Sequence, residues 1–302
     1  MTIRIGIAST AHPHSASYAA ALSRRPDVEL RVAELDELLA WAPHGVVICA
    51  ENHRHRELTE RAAAAGVHVL CEKPLATNVA DAVAMIDACE RAGVHLATAY
   101  PVRFHPALAA LRAGRPGRLY SAVGVNTGIA PGGWFADTAS GGGAILDHTV
   151  HLADLLTALV DAPPVEVYAQ ANRIVAGAGG DAETGGLLVV THADGFVASI
   201  DCSWSEPSGF PRWGGLSLTL HGSGGSVHFD PFADELTGYD ATRTASAPYL
   251  DLDALLLADF VDAIRERRPP DRTALRSLAV AEAASTSAAT GRPEPVHPLG
   301  GR

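Results

Sequence analysis

Val69-Leu70-Cys71-Glu72-Lys73-Pro74-Leu75-Ala76 reads as the end of a buried strand that runs into a charged pair and a proline. Val67 to Cys71 has the length and apolar content of a strand. In an open α/β sheet, ligands bind just beyond the carboxyl ends of the strands, so Lys73 falls where chemistry is done. A second cluster, Asp147-His148-Thr149-Val150-His151, follows Gly141-Gly142-Gly143 and opens an apolar helix. Asp147 and His151 stand four residues apart and share one helix face. Taken singly, Lys73 reads as a surface cation, Asp147 as a capping carboxylate and His151 as a satisfied histidine. Together, a lysine facing a carboxylate and an imidazole is a proton-handling set.

Working outward, apolar runs alternate with helical patterns. Strands are predicted at 3–8, 28–33, 46–50, 67–71 and 96–99, with helices at 15–24, 36–41, 57–65 and 81–92. That alternation means βαβ units and a parallel sheet, so residues 1–99 read as a Rossmann-like α/β domain. After Tyr100 the rhythm changes. Helices at 105–112 and 145–160 surround a strand at 119–126, then strands follow at 165–171, 186–191, 197–204, 216–221 and 227–229, and helices at 252–267 and 273–290 close the chain. Runs of strands with helices segregated indicate an α+β domain over 100–302 with an open, mostly antiparallel sheet. The large face of such a sheet needs a cover.

The totals narrow the class. The 302 residues carry a net charge of −11, without long basic runs, which excludes nucleic acid and anionic membranes as natural partners. No apolar run approaches the roughly 20 residues that span a bilayer. Met1 to Ile5 leads straight into a strand with none of the marks of a signal peptide. Cys49, Cys71, Cys89 and Cys202 lack metal or redox spacing, so reduced, buried thiols and a cytoplasmic location are expected.

Four segments resemble one known family, the glucose-fructose oxidoreductase, inositol dehydrogenase and MocA (Gfo/Idh/MocA) oxidoreductases. Residues 66–76 look like its Glu-Lys-Pro signature. Tyr100-Pro101-Val102-Arg103-Phe104-His105-Pro106 is similar to the segment after its Rossmann domain, and Gly141 to Asp147 with His151 and Asp154 to its second-domain helix. Phe260-Val261-Asp262-Ala263-Ile264 followed by Pro269-Pro270 fits as well. The resemblance implies a nicotinamide-dependent oxidoreductase acting on a sugar, cyclitol or related polyol, as a homodimer or homotetramer. It implies that His151 takes the hydroxyl proton, that Lys73 stabilises the alkoxide and that Asp147 tunes His151. It implies a cis Lys73–Pro74 peptide and a substrate contact from Arg103.

Two departures bear on the cofactor. The phosphate loop is Gly6-Ile7-Ala8-Ser9-Thr10-Ala11-His12-Pro13-His14, where only the first glycine of the dinucleotide fingerprint stands. Ala8 is expected to put a methyl group where pyrophosphate must approach. Beyond Ala33 the chain passes almost at once to the next helix, so roughly 20 residues of the adenosine-side βα unit are missing. Glu34 remains as the acidic residue for the ribose, favouring NAD over NADP. Glu51, Asn52, His55 and Glu72 complete the expected cofactor contacts with Gly6, Ala8, Ser9, Thr10, Ala11, His12 and Lys73. His14, Trp134 and His148 are candidates for substrate contact, although His148 sits about 100° round the helix from Asp147. His12, His14, His53, His55, Asp147 and His148 have metal-ligand chemistry but no recognised metal spacing, so no metal is expected. The weakened loop keeps a second class open, a non-redox acid–base enzyme (lyase, isomerase or cyclase) on the same scaffold. A catalytically silent binding protein is the third.

Overall fold

A computed structural model of the chain describes residues 2–175, 179–210, 214–232, 238–239, 244–245 and 250–297. Five parallel strands form the first sheet: β1 (Ile3–Ala8), β2 (Val28–Ala33), β3 (Gly45–Ile48), β4 (His68–Cys71) and β5 (Leu96–Thr98), in the order β2-β1-β3-β4-β5. The crossovers are α1 (His14–Ser23), α2 (Leu35–Ala40), α3 (His55–Ala64) and α4 (Val79–Ala92). Strand order reverses between β1 and β3, so the crevice at their carboxyl ends is the ligand-binding place of this topology. The predicted shortening is real. β2 is an edge strand with Val32 45% exposed, where a further βα unit would cover it.

Alternation along the strands separates two cores. Ile5, Ile7, Val47 and Leu70 pack against Tyr18 of α1 and against Leu257 and Phe260 of α7 (Leu252–Glu266), which returns from the far end of the chain. Ala8, Val46, Ile48 and Val69 pack on the other face with Leu38, Leu58, Met85 and Ile86.

The second sheet has seven strands in the order β11-β10-β6-β9-β8-β7-β14, formed by β6 (Leu119–Gly128), β7 (Pro164–Asn172), β8 (Gly185–His192), β9 (Val197–Asp201), β10 (Gly214–Gly222), β11 (Gly225–Phe229) and β14 (Glu294–Pro295). All its pairings are antiparallel except β6 with β9. A two-stranded ribbon, β12 (Gly238–Tyr239) and β13 (Thr244–Ala245), lies apart, and α5 (Pro106–Ala113) precedes the sheet. The inner face is covered by α6 (Ala144–Leu159) and α8 (Ala274–Thr290) through Leu152, Leu156, Val280 and Ala284. The outer face exposes Val123, Tyr168, Leu187, Val189 and Val197.

One helix ties the two units together. α6 sends Leu146 and Val150 into the core of the parallel sheet, and Leu152, Leu155, Leu156 and Leu159 into the core of the second. Asp147 is carried between them, toward the end of β4. Among the described residues no helix is long and apolar enough to cross a membrane, and all four cysteines are free and buried.

Candidate active site

Lys73 leaves the end of β4 through a cis Lys73–Pro74 peptide and forms an ion pair with Asp147 at the start of α6. Both side chains are buried, at 7% and 9% exposure. The ammonium also lies 3.4 Å from the Asp147 carbonyl, and the other carboxylate oxygen accepts from Trp204 Nε1 at 3.1 Å and faces His148 Nε2 at 3.3 Å. Burial pushes the Asp147 carboxyl upward, but Lys73 and His148 outweigh it and hold the group well below the usual carboxylate range. A buried pair of this kind needs every lone pair occupied, and Trp204 supplies the partner that Lys73 leaves over.

His151 lies one turn further along α6, edge-on to Tyr100 with ring centroids 5.9 Å apart. Burial and the Lys73 charge push its pKa well below the ordinary histidine value. The ring is therefore neutral at pH 7 and can accept a proton. Lys73, Asp147 and His151 are thus gathered as the sequence indicates, with one difference of detail. The Asp147 carboxylate is occupied by Lys73, Trp204 and His148, so its direct effect is to position Lys73.

Beneath the pair, Glu72 is fully buried and accepts from the Lys73 amide at 3.1 Å. Its other oxygen meets His14 Nδ1 at 3.1 Å, with His12 Nδ1 3.7 Å away. Burial raises the Glu72 carboxyl, yet His12 and His14 draw it far below normal. Burial takes His12 down to about 3, whereas Glu72 overcomes burial at His14 and raises it. Donor atoms of His12, His14 and Glu72 lie within 4.8 Å of one another, a spacing that suits a metal. The His14 amide donates to His12 Nδ1, and His14 Nδ1 contacts Glu72, so these atoms already have protein partners.

The residues present fit a dinucleotide at the β1/β3 crevice. Ser9 adopts a left-handed conformation (φ 70°) at the turn out of β1. Among the described residues, the amides of Ser9 and Thr10 meet no acceptor, which leaves them for phosphate oxygens. Asn52 donates Nδ2–H to the Gly141 carbonyl at 2.7 Å, while its buried Oδ1 has no partner and is matched by a hydroxyl or amide donor. Glu34 and Glu51 flank Arg54, whose guanidinium lies 3.8 and 3.3 Å from their carboxylates.

Several expectations are corrected. The Ala8 methyl is 1% exposed and turned into the core with Leu35 and Leu38, so it does not obstruct the loop. Gly6 is glycine for packing, because a Cβ there would meet Leu38 Cδ1 at 2.8 Å. The short connection has drawn α2 against β1, and α2 dictates both small residues. His55 is wholly buried between the Ala50 and Pro74 carbonyls (3.2 and 3.0 Å) and holds two strand ends together instead of touching cofactor. Arg103 is committed to Asp154 and to Asp271 (2.7 Å) and is unavailable to substrate. Trp134 stacks on Phe135 and donates to the Ala11 carbonyl at 3.1 Å, so it braces the phosphate loop. Sequence reasoning missed Trp204 and Glu183, the latter accepting from the Ile145 amide at 3.0 Å at the head of α6. Each lies far along the chain from its partner, with no local signal.

Comparisons agree with this geometry. The family model for the oxidoreductase family with the NAD-binding Rossmann fold matches residues 5–100, and that for the GFO/IDH/MocA C-terminal domain matches residues 104–228. A 1,5-anhydro-D-fructose reductase of Ensifer adhaerens is 31% identical over 299 residues, covering 92% of this chain and 87% of its own. D-apiose dehydrogenase of Paraburkholderia graminis is 29% identical over 269 residues, covering 79% and 69%. Among solved structures, GenD2 from gentamicin A biosynthesis in complex with NAD superposes with a TM-score of 0.84 at 24% identity, covering 97% and 96%. The WlbA dehydrogenase from Bordetella pertussis in complex with NADH and UDP-GlcNAcA gives 0.80 at 24%, covering 99% of both chains. The relatives are dehydrogenases and reductases, and the non-redox alternative is not favoured. The chain belongs to the Gfo/Idh/MocA family, as an NAD(P)-dependent oxidoreductase with a shortened Rossmann domain.

Proposed function

We propose that the protein oxidises a secondary hydroxyl of a sugar, cyclitol or related polyol, or reduces the matching ketone, with NAD as the preferred partner. The observation that carries this is the buried Lys73–Asp147 pair at the strand ends, one helical turn from a neutral His151. When bound, the nicotinamide accepts or returns the hydride. In the oxidation, His151 takes the hydroxyl proton as general base, and the Lys73 ammonium stabilises the negative charge that develops on oxygen. Asp147, fixed by Trp204 and His148, keeps that ammonium in place. Glu72 orders the Lys73 backbone and His14 below the site. His148 stays a candidate substrate contact, its buried Nδ1 lacking a partner.

Residues 1–99 serve as the cofactor unit, with α7 packed back on it, and 100–302 as the substrate and subunit-contact unit. Tyr168, Val189, Ser199 and Val123 are cross-strand neighbours in one row across the outer sheet face, and this mainly apolar band suits a second copy of the chain. Four free buried cysteines accord with action in the cytosol.

Calorimetric titration with NAD and NADP, followed by a screen of polyols for nicotinamide reduction, tests the reading. Absence of both binding and turnover overturns it. Glu34→Gln tests the cofactor preference. The wild-type protein is expected to favour NAD, because the Glu34 carboxylate suits a ribose diol and repels a 2′-phosphate. The variant should lose NAD affinity about fivefold and gain NADP affinity by about the same factor, since the carboxylate that repels a 2′-phosphate is gone. An unchanged NAD/NADP ratio excludes that role.

The pH profile has a definite sign. Burial and Lys73 lower the His151 pKa, so the basic form persists on acidification. The kcat/KM of oxidation should stay level through pH 6.5 and fall only on further acidification. A limb centred on the ordinary histidine value would count against His151 as the base.

A further inference from the structure

The opposite end of the parallel sheet carries a feature that hydride transfer does not use. The amino ends of β1, β3 and β4 lie side by side, bringing Arg4, His44 and His68 into a row, and the end of α7 adds Arg265 and Arg267. Together with Ile3, Ala42, Pro43, Gly66 and Ile264 they line a cavity of about 770 Å³. Five of its lining residues are basic and none is acidic, in a chain whose net charge is −11.

The hydrogen bonds fix how these groups present themselves. The Arg4 amide donates to His44 Nδ1 at 2.9 Å, and the His95 amide donates to His68 Nδ1 at 2.9 Å. An Nδ1 that accepts leaves the ring proton on Nε2, so each imidazole offers an N–H donor even when neutral. Arg4 Nε is buried and has no partner, the kind of vacancy that folded proteins rarely leave. Arg265 is neutralised by Asp27 and Asp262, whereas Arg4 and Arg267 form no ion pair among the described residues. The ionisable groups that act on His68 are His95, Arg267 and His44, with no carboxylate among them.

We propose that this cavity is an anion site that takes a phosphate group, held by the guanidinium groups of Arg4 and Arg267 and by the Nε2 donors of His44 and His68. Two unpaired guanidiniums and two fixed N–H donors, without a carboxylate, match the acceptor-only periphery of a phosphate and would be costly to assemble for a neutral ligand. The cavity is larger than phosphate alone, so the group arrives either free or as the end of a phosphorylated small metabolite. β1 separates it from the dinucleotide loop by about 20 Å. Occupation is thus compatible with bound NAD.

The test uses the full-length protein saturated with NAD, so that the dinucleotide loop is already filled. Inorganic phosphate, and separately glucose 6-phosphate, is titrated by calorimetry against sodium chloride of matched ionic strength. Saturable binding with a dissociation constant of about 1 mM or tighter is expected. Arg267→Ala removes an exposed side chain, and His68→Asn keeps an acceptor for the His95 amide while deleting the Nε2 donor. Each should weaken phosphate binding about tenfold and leave NAD affinity and turnover unchanged. Tighter binding of glucose 6-phosphate assigns the site to a phosphorylated metabolite, and equal binding assigns it to free phosphate. No response beyond chloride, or equal binding by wild type and both variants, overturns the proposal.

Discussion

Lys73→Met is expected to lower kcat by about 10²- to 10³-fold while leaving the NAD dissociation constant within about threefold of wild type. In the proposed mechanism the lysine is the cation nearest the place where alkoxide charge develops, and its side chain is only 7% exposed. An electrostatic stabiliser in such a site acts on the transition state more than on the bound ground state, so the loss falls on kcat. The same change removes the cationic partner of Asp147, whose carboxylate is 9% exposed. Stability should fall by about 3 kcal/mol, the lower end of the cost of breaking a buried pair, because Trp204 still hydrogen-bonds that carboxylate and His148 Nε2 stays 3.3 Å from it. Lys73→Met combined with Asp147→Asn separates the two effects. The double variant should recover most of the stability and none of the activity. Stopped-flow measurement of the hydride step is the decisive reading, and a step within threefold of wild type would remove Lys73 from the mechanism.

The elements of the fold were largely legible because each strand and helix carries its own periodicity. Val67 to Cys71, the Gly66 and Gly93 stops and the apolar stripe of α6 are all local signals, and the structure keeps them within a residue or two. The proposed catalytic group stood out in the sequence for a different reason. Glu72-Lys73-Pro74 and the glycine run before Asp147 are dense, unusual strings at the ends of elements, where ligands bind. What escaped was partner choice between distant segments. Arg103 looked available to substrate, yet Asp154 and Asp271 claim it from 51 and 168 residues away. His55 looked like a cofactor ligand until the ends of two strands closed round it. The weakened glycine fingerprint misled most. Its alanine was judged against a full-length Rossmann domain, whereas in the shortened one α2 packs on β1 and turns that methyl inward. A motif read without its surrounding deletion attributes to the ligand what belongs to the neighbouring helix.

Gly142→Ala should be among the most damaging single methyls added to the described residues, costing about 3 kcal/mol or more. Its Cβ would stand 2.0 Å from the Phe135 carbonyl oxygen, 2.5 Å from the Phe135 carbonyl carbon and 2.9 Å from the Asp137 oxygen. These are backbone atoms, so no rotamer change relieves the collision. The segment cannot simply move away, because the Gly142 and Gly143 amides donate to Asp137 and Phe135 at 3.0 and 2.9 Å. Parting the two loop segments to admit a methyl would forfeit both bonds and shift the Trp134–Phe135 stack that braces the phosphate loop through Ala11. Gly93→Ala provides the control. That residue has φ 66° and ψ 30° with no atom near its prospective Cβ, so only the left-handed backbone is penalised, at about 1 kcal/mol. Denaturant unfolding of both variants should therefore separate them by about 2 kcal/mol, and Gly142→Ala alone should weaken NAD binding as the brace on the loop is displaced. Equal destabilisation by the two substitutions would show that the close approach at Gly142, which has no positive φ, is relieved at little cost, and would sink this reading. Separation would mean that close backbone contact at Gly142 joins the start of the catalytic helix to the cofactor loop, which is a physical reason for a second glycine ahead of Asp147.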